Sequence, residues 1–182
     1  MLVMLDRDGV LNRDRPDHVK NPGELVMIEG AAAAVARLNA AGHKVAVVTN
    51  QSSVGQGMIP LEMLERIHER LREELAGAGA RIDLLLQCTD PPGAPSARRK
   101  PAPGMLREAM SHFRTGPDEA VMIGDALRDL EAAAAAGVKR VLVRTGKGAL
   151  TQAQGIPGHI LPVSVYDDLT KAVDALLSPS RN

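Results

Sequence analysis

Short apolar runs bounded by turn residues alternate along this chain with longer segments of helical period, and that alternation leaves few architectures open. Fully apolar strands need cover on both faces, and helices of amphipathic period supply it, so the pattern predicts βα units wound around a parallel sheet. The expected strands are Leu2 to Leu5, Lys44 to Val48, Ile82 to Gln87, Ala120 to Ile123, Arg140 to Val143 and a short Ile160 to Val163. The expected helices are Ala31 to Ala41, Pro60 to Ala76, Pro103 to Phe113, Leu127 to Ala136 and Tyr166 to Leu177. Pro60 and Pro103 suit first-turn positions, and Gly42, Gly77 and Gly137 suit helix stops. The alanine runs at 31–34 and 132–136 are read as helix faces lying close on the sheet. The fold class expected is α/β: a doubly wound, Rossmann-like parallel sheet with helices on both faces and a minimal cap.

At about 150 residues per domain, the 182 residues make one domain. Aromatic residues are 1% of the chain, Phe113 and Tyr166 alone, which argues against a stacking platform for nucleic acid or sugar. Lys plus Arg and Asp plus Glu each number 22, so no basic field exists to hold a polyanion and any anion must be gripped locally. Neither nucleic acid nor a membrane is expected as a partner, because no apolar stretch approaches the roughly 18 residues of a span. The single cysteine, Cys88, and the absence of a signal-peptide pattern at the start favour a reducing cytoplasm. A neutral, Ala-rich surface is compatible with a monomer or a weak homodimer.

Chemistry concentrates where strands end. Asp6-Arg7-Asp8-Gly9 sets two carboxylates two residues apart directly after an apolar strand, and a second acidic pair, Asp125 and Asp129, follows the strand ending at Ile123-Gly124. Alone, Asp-x-Asp-Gly is equally well a turn or a helix cap. Together the pairs ask for a divalent cation with hard oxygen ligands, and magnesium fits, since it binds a few carboxylates and keeps waters or phosphate oxygens. Between the pairs, Thr49 ends a Val-rich strand in Val47-Val48-Thr49-Asn50-Gln51-Ser52, and Lys100 precedes a proline in Arg98-Arg99-Lys100-Pro101. In an open α/β sheet these loops line one crevice beyond the carboxyl ends of the strands.

With these four segments in this order, the chain resembles the haloacid dehalogenase superfamily of aspartate-nucleophile phosphatases over nearly its whole length. Asp6 to Asn12, Thr49 to Ser52, Arg99-Lys100-Pro101 with Pro103-Gly104-Met105, Gly124-Asp125 with Asp129, and Val143-Arg144-Thr145-Gly146 resemble the heptose bisphosphate and histidinol phosphatase branch. The resemblance implies a magnesium-dependent phosphomonoesterase acting on a small phosphorylated metabolite. It points first to the 7-phosphate of D-glycero-D-manno-heptose 1,7-bisphosphate, with histidinol phosphate or another sugar phosphate as the alternative. It makes Asp6 the nucleophile and Asp8 the general acid and base, roles that aspartyl-phosphate chemistry supports independently. By the same resemblance Asp6, the Asp8 carbonyl and Asp125 hold magnesium, Asp129 supports the metal site, and Thr49 and Lys100 hold phosphate oxygens. Asp14, Arg15, Pro16, Asp17, Asn50, Gln51, Ser52, Arg99 and Ala126 are the implied substrate contacts. Arg99 is the residue expected to meet a second phosphate, against the plainer reading of Arg98 and Arg99 as a solvated basic loop.

The chain departs from the branch in one loop. Where relatives carry Cys-x-His and Cys-x-Cys zinc ligands, it reads Cys88-Thr89-Asp90-Pro91-Pro92-Gly93-Ala94-Pro95-Ser96-Ala97-Arg98, and one thiolate falls short of the roughly four ligands that structural zinc needs. No structural zinc is expected, and the prolines can restrict the loop instead. Cys88 is read as a small buried residue. His18, His43, His68, His112 and His159 show no metal-ligand spacing and are read as surface or packing residues, with His18 the one worth testing. The helix Leu61 to Leu75 has one apolar face for the sheet. Gly55 and Gly57 lack the Gly-Lys-Ser/Thr ending of a P-loop. Two other classes remain open from sequence: a phosphoaccepting, receiver-like signalling domain, and a catalytically silent binding protein.

Overall fold

The computed structural model describes residues 1–178. Among the described residues, six strands form one sheet: β1 (Leu2–Leu5), β2 (Lys44–Asn50), β3 (Leu84–Cys88), β4 (Ala120–Gly124), β5 (Lys139–Val143) and β6 (Ser164–Tyr166), in the order β3-β2-β1-β4-β5-β6. Every pairing is parallel. The helices are α1 (Ala31–Ala40), α2 (Ser52–Gly55), α3 (Leu61–Gly77), α4 (Gly104–Phe113), α5 (Leu127–Ala136), α6 (Gly148–Gln154) and α7 (Leu169–Leu177).

The winding follows from the strand sequences. β1 reads Leu-Val-Met-Leu with all four residues buried, so both of its faces need cover. Val3 and Leu5 pack with residues of α1, α3 and α7, while Leu2 and Met4 pack with residues of α4 and α5 on the opposite face. The alanine runs lie where expected, with Ala31 and Ala34 of α1 and Ala132 and Ala133 of α5 buried. From β1 the chain winds outward to β3, then returns to lay β4 on the free side of β1. Strand order reverses there, and the loops leaving β1, β2, β3 and β4 converge over the carboxyl ends.

Several boundaries move. β3 begins two residues later than the apolar run suggests and carries through to Cys88. The expected strand Ile160 to Val163 is a correction: Ile160 closes a 3₁₀ turn, Gly158–Ile160, and packs against Leu130 and Leu142, while the edge strand is Ser164–Tyr166. Pro162 lacks an N–H for the ladder, so pairing starts beyond it. Tyr166 therefore belongs to β6, and α7 starts after Asp168, whose carboxylate accepts the Lys171 N–H at 2.8 Å. Pro60 and Pro103 precede the first turns of α3 and α4 by one residue, and Gly77 ends α3 instead of stopping it from outside. The short α2 and α6 have too few turns to show a period in the sequence and are not among the expected helices. Among the described residues, no helix is long and apolar enough to cross a membrane.

Candidate active site

Asp6 is the first residue past β1, anchored by its N–H on the Ile123 carbonyl of β4 at 3.0 Å. The chain then turns tightly: the Arg7 carbonyl accepts from Val10, Leu11 and Asn12 at 3.3, 2.9 and 3.2 Å. Gly9 makes the turn possible, with φ +85°, and a Cβ there would collide with the Asp125 carboxylate. Asp125 follows β4. Its side chain accepts the Lys147 N–H at 2.8 Å, and its carbonyl accepts the Thr151 hydroxyl at 2.9 Å. One turn on, Asp129 accepts the Ala126 N–H at 3.1 Å and so caps α5.

These elements bring Asp6, Asp125 and Asp129 together, with one carboxylate oxygen from each lying within 4.8 Å of the others, and each residue is buried. Lys100 reaches the cluster from the loop after β3. Its Nζ lies 3.1 Å from Asp6 Oδ1 and 2.7 Å from Asp129 Oδ1, and donates to the Val48 carbonyl at 2.8 Å. Lys100 is itself placed by a reciprocal pair with Asn50, whose Nδ2 donates to the Lys100 carbonyl at 2.9 Å while Oδ1 accepts the Lys100 N–H at 3.1 Å.

One ammonium does not balance three carboxylates. Burial pushes Asp6 up to about 6, opposed by Lys100 and reinforced by Asp129. Burial, with Asp6 and Asp129 beside it, pushes Asp125 up to about 7. Burial would lower Lys100, but Asp129 and Asp6 outweigh it and hold the ammonium above its ordinary value. Asp125 Oδ1 is buried without a hydrogen-bond partner. Lys100 is shared between Asp6 and Asp129, and Asp129 also accepts the Ala126 N–H, so the cluster stays short of positive charge, most of all at Asp125, which has no ion-pair partner among the described residues. A small divalent cation fits this donor set of hard oxygens.

Asp8 faces the same crevice in a different environment. Arg7 NH2 lies 2.9 Å from both of its oxygens, Asn12 Nδ2 donates to Oδ1 at 2.8 Å, and Gln51 Nε2 donates to Oδ2 at 2.7 Å. Burial pushes this carboxyl up, but the Arg7 charge and the three donors prevail and hold it below the usual carboxylate range. Thr49, wholly buried at the end of β2, accepts from Gln51 Nε2 at 2.9 Å.

A cavity of about 130 Å³ opens over Asp6 and Asp8, and of the implied substrate contacts Asp14, Arg15, Pro16, Asn50, Ser52 and Arg99 line it, together with His18. Three of the implied substrate contacts do not line it, and neither do Thr49 and Lys100, the implied phosphate ligands, both of which are buried. The Asp17 carboxylate instead holds Arg15 at 3.1 Å. Gln51 is buried beneath the cavity between Asp8 and Thr49, and Ala126 is buried at the start of α5. Sequence reasoning missed two cations on the wall, Arg128 and Lys147. Arg128 lies between the acids Asp125 and Asp129, and Lys147 stands one residue past the segment Val143 to Gly146; Lys147 Nζ pairs with Asp14 at 2.8 Å. A wider cavity of about 560 Å³ adjoins through Asp14, Pro16 and Lys147, and none of the clustered acids lines it.

The loop that follows β3 is tied by its own groups. Asp90 accepts the Ser96 N–H at 2.7 Å, and Arg99 donates to the Asp90 carbonyl at 2.9 Å. Gly55 of α2 packs so closely on Thr89 and Pro91 that a Cβ would collide with them. Cys88 is buried, and burial pushes its thiol up, which fits a packing residue.

Comparison with known proteins agrees with this geometry. The family model described as HAD-hydrolase-like matches residues 97–172. The chain is 42% identical over 176 residues to the D-glycero-beta-D-manno-heptose-1,7-bisphosphate 7-phosphatase of Pseudomonas putida, covering 97% of this chain and 99% of that protein. The corresponding phosphatase of Neisseria meningitidis serogroup A is 41% identical over 170 residues, covering 92% and 90%. Among solved structures, D,D-heptose 1,7-bisphosphate phosphatase from Bordetella bronchiseptica, complexed with magnesium and phosphate, superposes with a TM-score of 0.92 at 38% identity, covering 97% of both chains. The chain belongs to the haloacid dehalogenase-like hydrolases, within the family of D-glycero-beta-D-manno-heptose-1,7-bisphosphate 7-phosphatases.

Proposed function

We propose that this chain, acting as one phosphatase domain in the cytoplasm, hydrolyses the 7-phosphate of D-glycero-beta-D-manno-heptose 1,7-bisphosphate through an aspartyl phosphate on Asp6. The observation that carries the reading is the pairing of Asp6 and Asp8 on one cavity, one beside Lys100 in an acidic cluster and the other held by donors. Two carboxylates in opposed environments take two roles. Asp6 attacks phosphorus in line with the leaving oxygen. Asp8 gives that oxygen a proton, then takes one from the water that cleaves the acyl phosphate and frees Asp6. The low pKa of Asp8 suits the second half, and the charge of an arriving phosphate raises it for the first. Thr49 and Lys100 hold the phosphoryl oxygens from below.

Asp6, Asp125 and the Asp8 carbonyl would hold magnesium, with Asp129 supporting them. When bound, the ion neutralises charge between carboxylate and phosphate. By holding magnesium, Asp6 and Asp125 would give up the protons that crowding otherwise favours on them. Unfolded carboxyls titrate near 4 and the folded Asp6 and Asp125 at about 6 and 7, so between these values the folded protein binds more protons than the unfolded chain. Stability of the metal-free protein therefore falls as pH rises through that window. Magnesium is expected to raise Tm more at pH 8 than at pH 5; equal shifts at both would disconnect the ion from these acids.

The small cavity has room for a phosphoryl group, and the adjoining one supplies the several hundred Å³ that a sugar ligand occupies. The names of the relatives support the bisphosphate over histidinol phosphate, and they favour turnover over the receiver-like reading. Phosphate release from a panel of both compounds and other sugar phosphates tests the substrate. Preference for the bisphosphate is expected, by at least about tenfold in kcat/KM, since an unmatched polar group in a built site costs on that order. Better turnover of histidinol phosphate would reassign it.

A further inference from the structure

We infer that His68 of α3 is a positioning residue: through Arg7 it fixes the Asp8 carboxylate for proton transfer to the leaving oxygen. This rests on the role of Asp8 proposed above. Arg7 is wholly buried, a costly place for a guanidinium, and it sits between the two acids of the site. Its NH2 forks onto both oxygens of Asp8. Its NH1 has one partner among the described residues, His68 Nε2 at 3.2 Å, and its Nε has none. An arginine can only donate, so with this contact Nε2 accepts and the imidazole proton sits on Nδ1, which is buried with no hydrogen-bond partner among the described residues. Burial, with Arg7 and Arg72 nearby, pushes His68 down to about 3, so the ring stays neutral and keeps that acceptor through the working range.

His68 stands on the buried face of α3 with Leu64, Ile67, Leu71 and Leu75, a position that an aliphatic residue would fill as well. Packing alone does not call for an imidazole there. Without an acceptor, NH1 becomes an unpaired buried donor, and the guanidinium regains a partner only by rotating its fork off Asp8. Asn12 and Gln51 would each still donate to one oxygen of the carboxylate, but the charged fork that spans both oxygens and sets the plane between them would be gone, and small misplacements of a proton donor are expensive in rate.

The test compares two leaving groups. The heptose alkoxide needs its proton at departure, whereas p-nitrophenolate departs without one, so loss of a well-placed acid spares p-nitrophenyl phosphate. With magnesium present, His68→Leu is expected to lower kcat/KM for the heptose bisphosphate by about tenfold or more and for p-nitrophenyl phosphate by less than about threefold. His68→Gln, which keeps an acceptor near Nε2, should recover much of the difference. The ratio of the two rates on one preparation does not depend on how much of it is folded. Equal losses on both substrates, or none, would overturn the proposal. If His68→Leu does not fold, His68→Met takes its place, and failure of both to fold would assign His68 to the core. Asp8→Asn in parallel separates the two levels. Without a leaving-group split in Asp8→Asn, the proposed role of Asp8 fails; with one there and none in His68→Leu, only the positioning role fails.

Discussion

Asp6→Asn is expected to abolish turnover, by at least about 10⁴-fold in kcat, while leaving the protein as stable as the wild type or more so. The two halves of the result have separate causes. The amide cannot attack phosphorus, and what Lys100, Thr49 and the rest of the cavity contribute is binding and orientation. For stability, Asp6 sits in a crowded acidic cluster whose burial already raises it to about 6, so removing its charge relieves repulsion on Asp125 and Asp129. Lys100 keeps Asp129 at 2.7 Å as a partner. Phosphate release and thermal melts on the metal-free protein check both halves. Wild-type activity in the variant would remove the nucleophile, and a fall in Tm of several degrees would contradict the electrostatic account.

Lys100→Met should do the reverse to stability. Breaking a buried pair leaves charge uncompensated at about 3–5 kcal/mol, and here two carboxylates lose their ammonium at once. The apolar stem is retained by methionine, so the loss reports the charge. Because Asp6 is raised and takes up a proton on acidification, the deficit should shrink between pH 8 and pH 5. Turnover should also drop about 10²–10³-fold, as expected for loss of one fixed positive group on the transferring phosphoryl oxygens. Denaturant unfolding of the metal-free proteins at both pH values gives the first quantity and kcat/KM the second. A stability change within about 0.5 kcal/mol, the range of ordinary surface changes, would mean that Lys100 does not carry the cluster.

The parts of the molecule legible in the sequence are those governed by local pattern. The central strand, its following acid pair and the alanine faces of α1 and α5 announce themselves through hydrophobicity and propensity. The edge strand did not, because Ile160 is buried by Leu130 and Leu142 as firmly as a strand residue would be. Asp6, Asp8, Thr49, Lys100 and Asp125 stand next to strand ends or turn residues and could be read from spacing. Arg128 and Lys147 could not, since they reach the cavity only when α5 and the loop after β5 fold over it. Gln51 and Asp17 are implied as contacts by the family resemblance alone, and motif position does not say where a side chain turns: packing turns Gln51 inward onto Asp8 and Asp17 sideways onto Arg15. The Arg7 clamp was equally hidden, since its anchor, His68, lies 61 positions away.

The central claim, an aspartyl phosphate on Asp6 released with help from Asp8, is tested most directly by a burst experiment. Asp8→Asn with magnesium and p-nitrophenyl phosphate uses a leaving group that needs no acid, while release of the intermediate still needs a base. The account predicts a rapid burst approaching one equivalent of p-nitrophenolate per active site, slow turnover afterwards, and a phosphoryl group on Asp6 in the acid-quenched protein. A linear time course with no phosphorylated protein, or the phosphoryl group on any other residue, would contradict it.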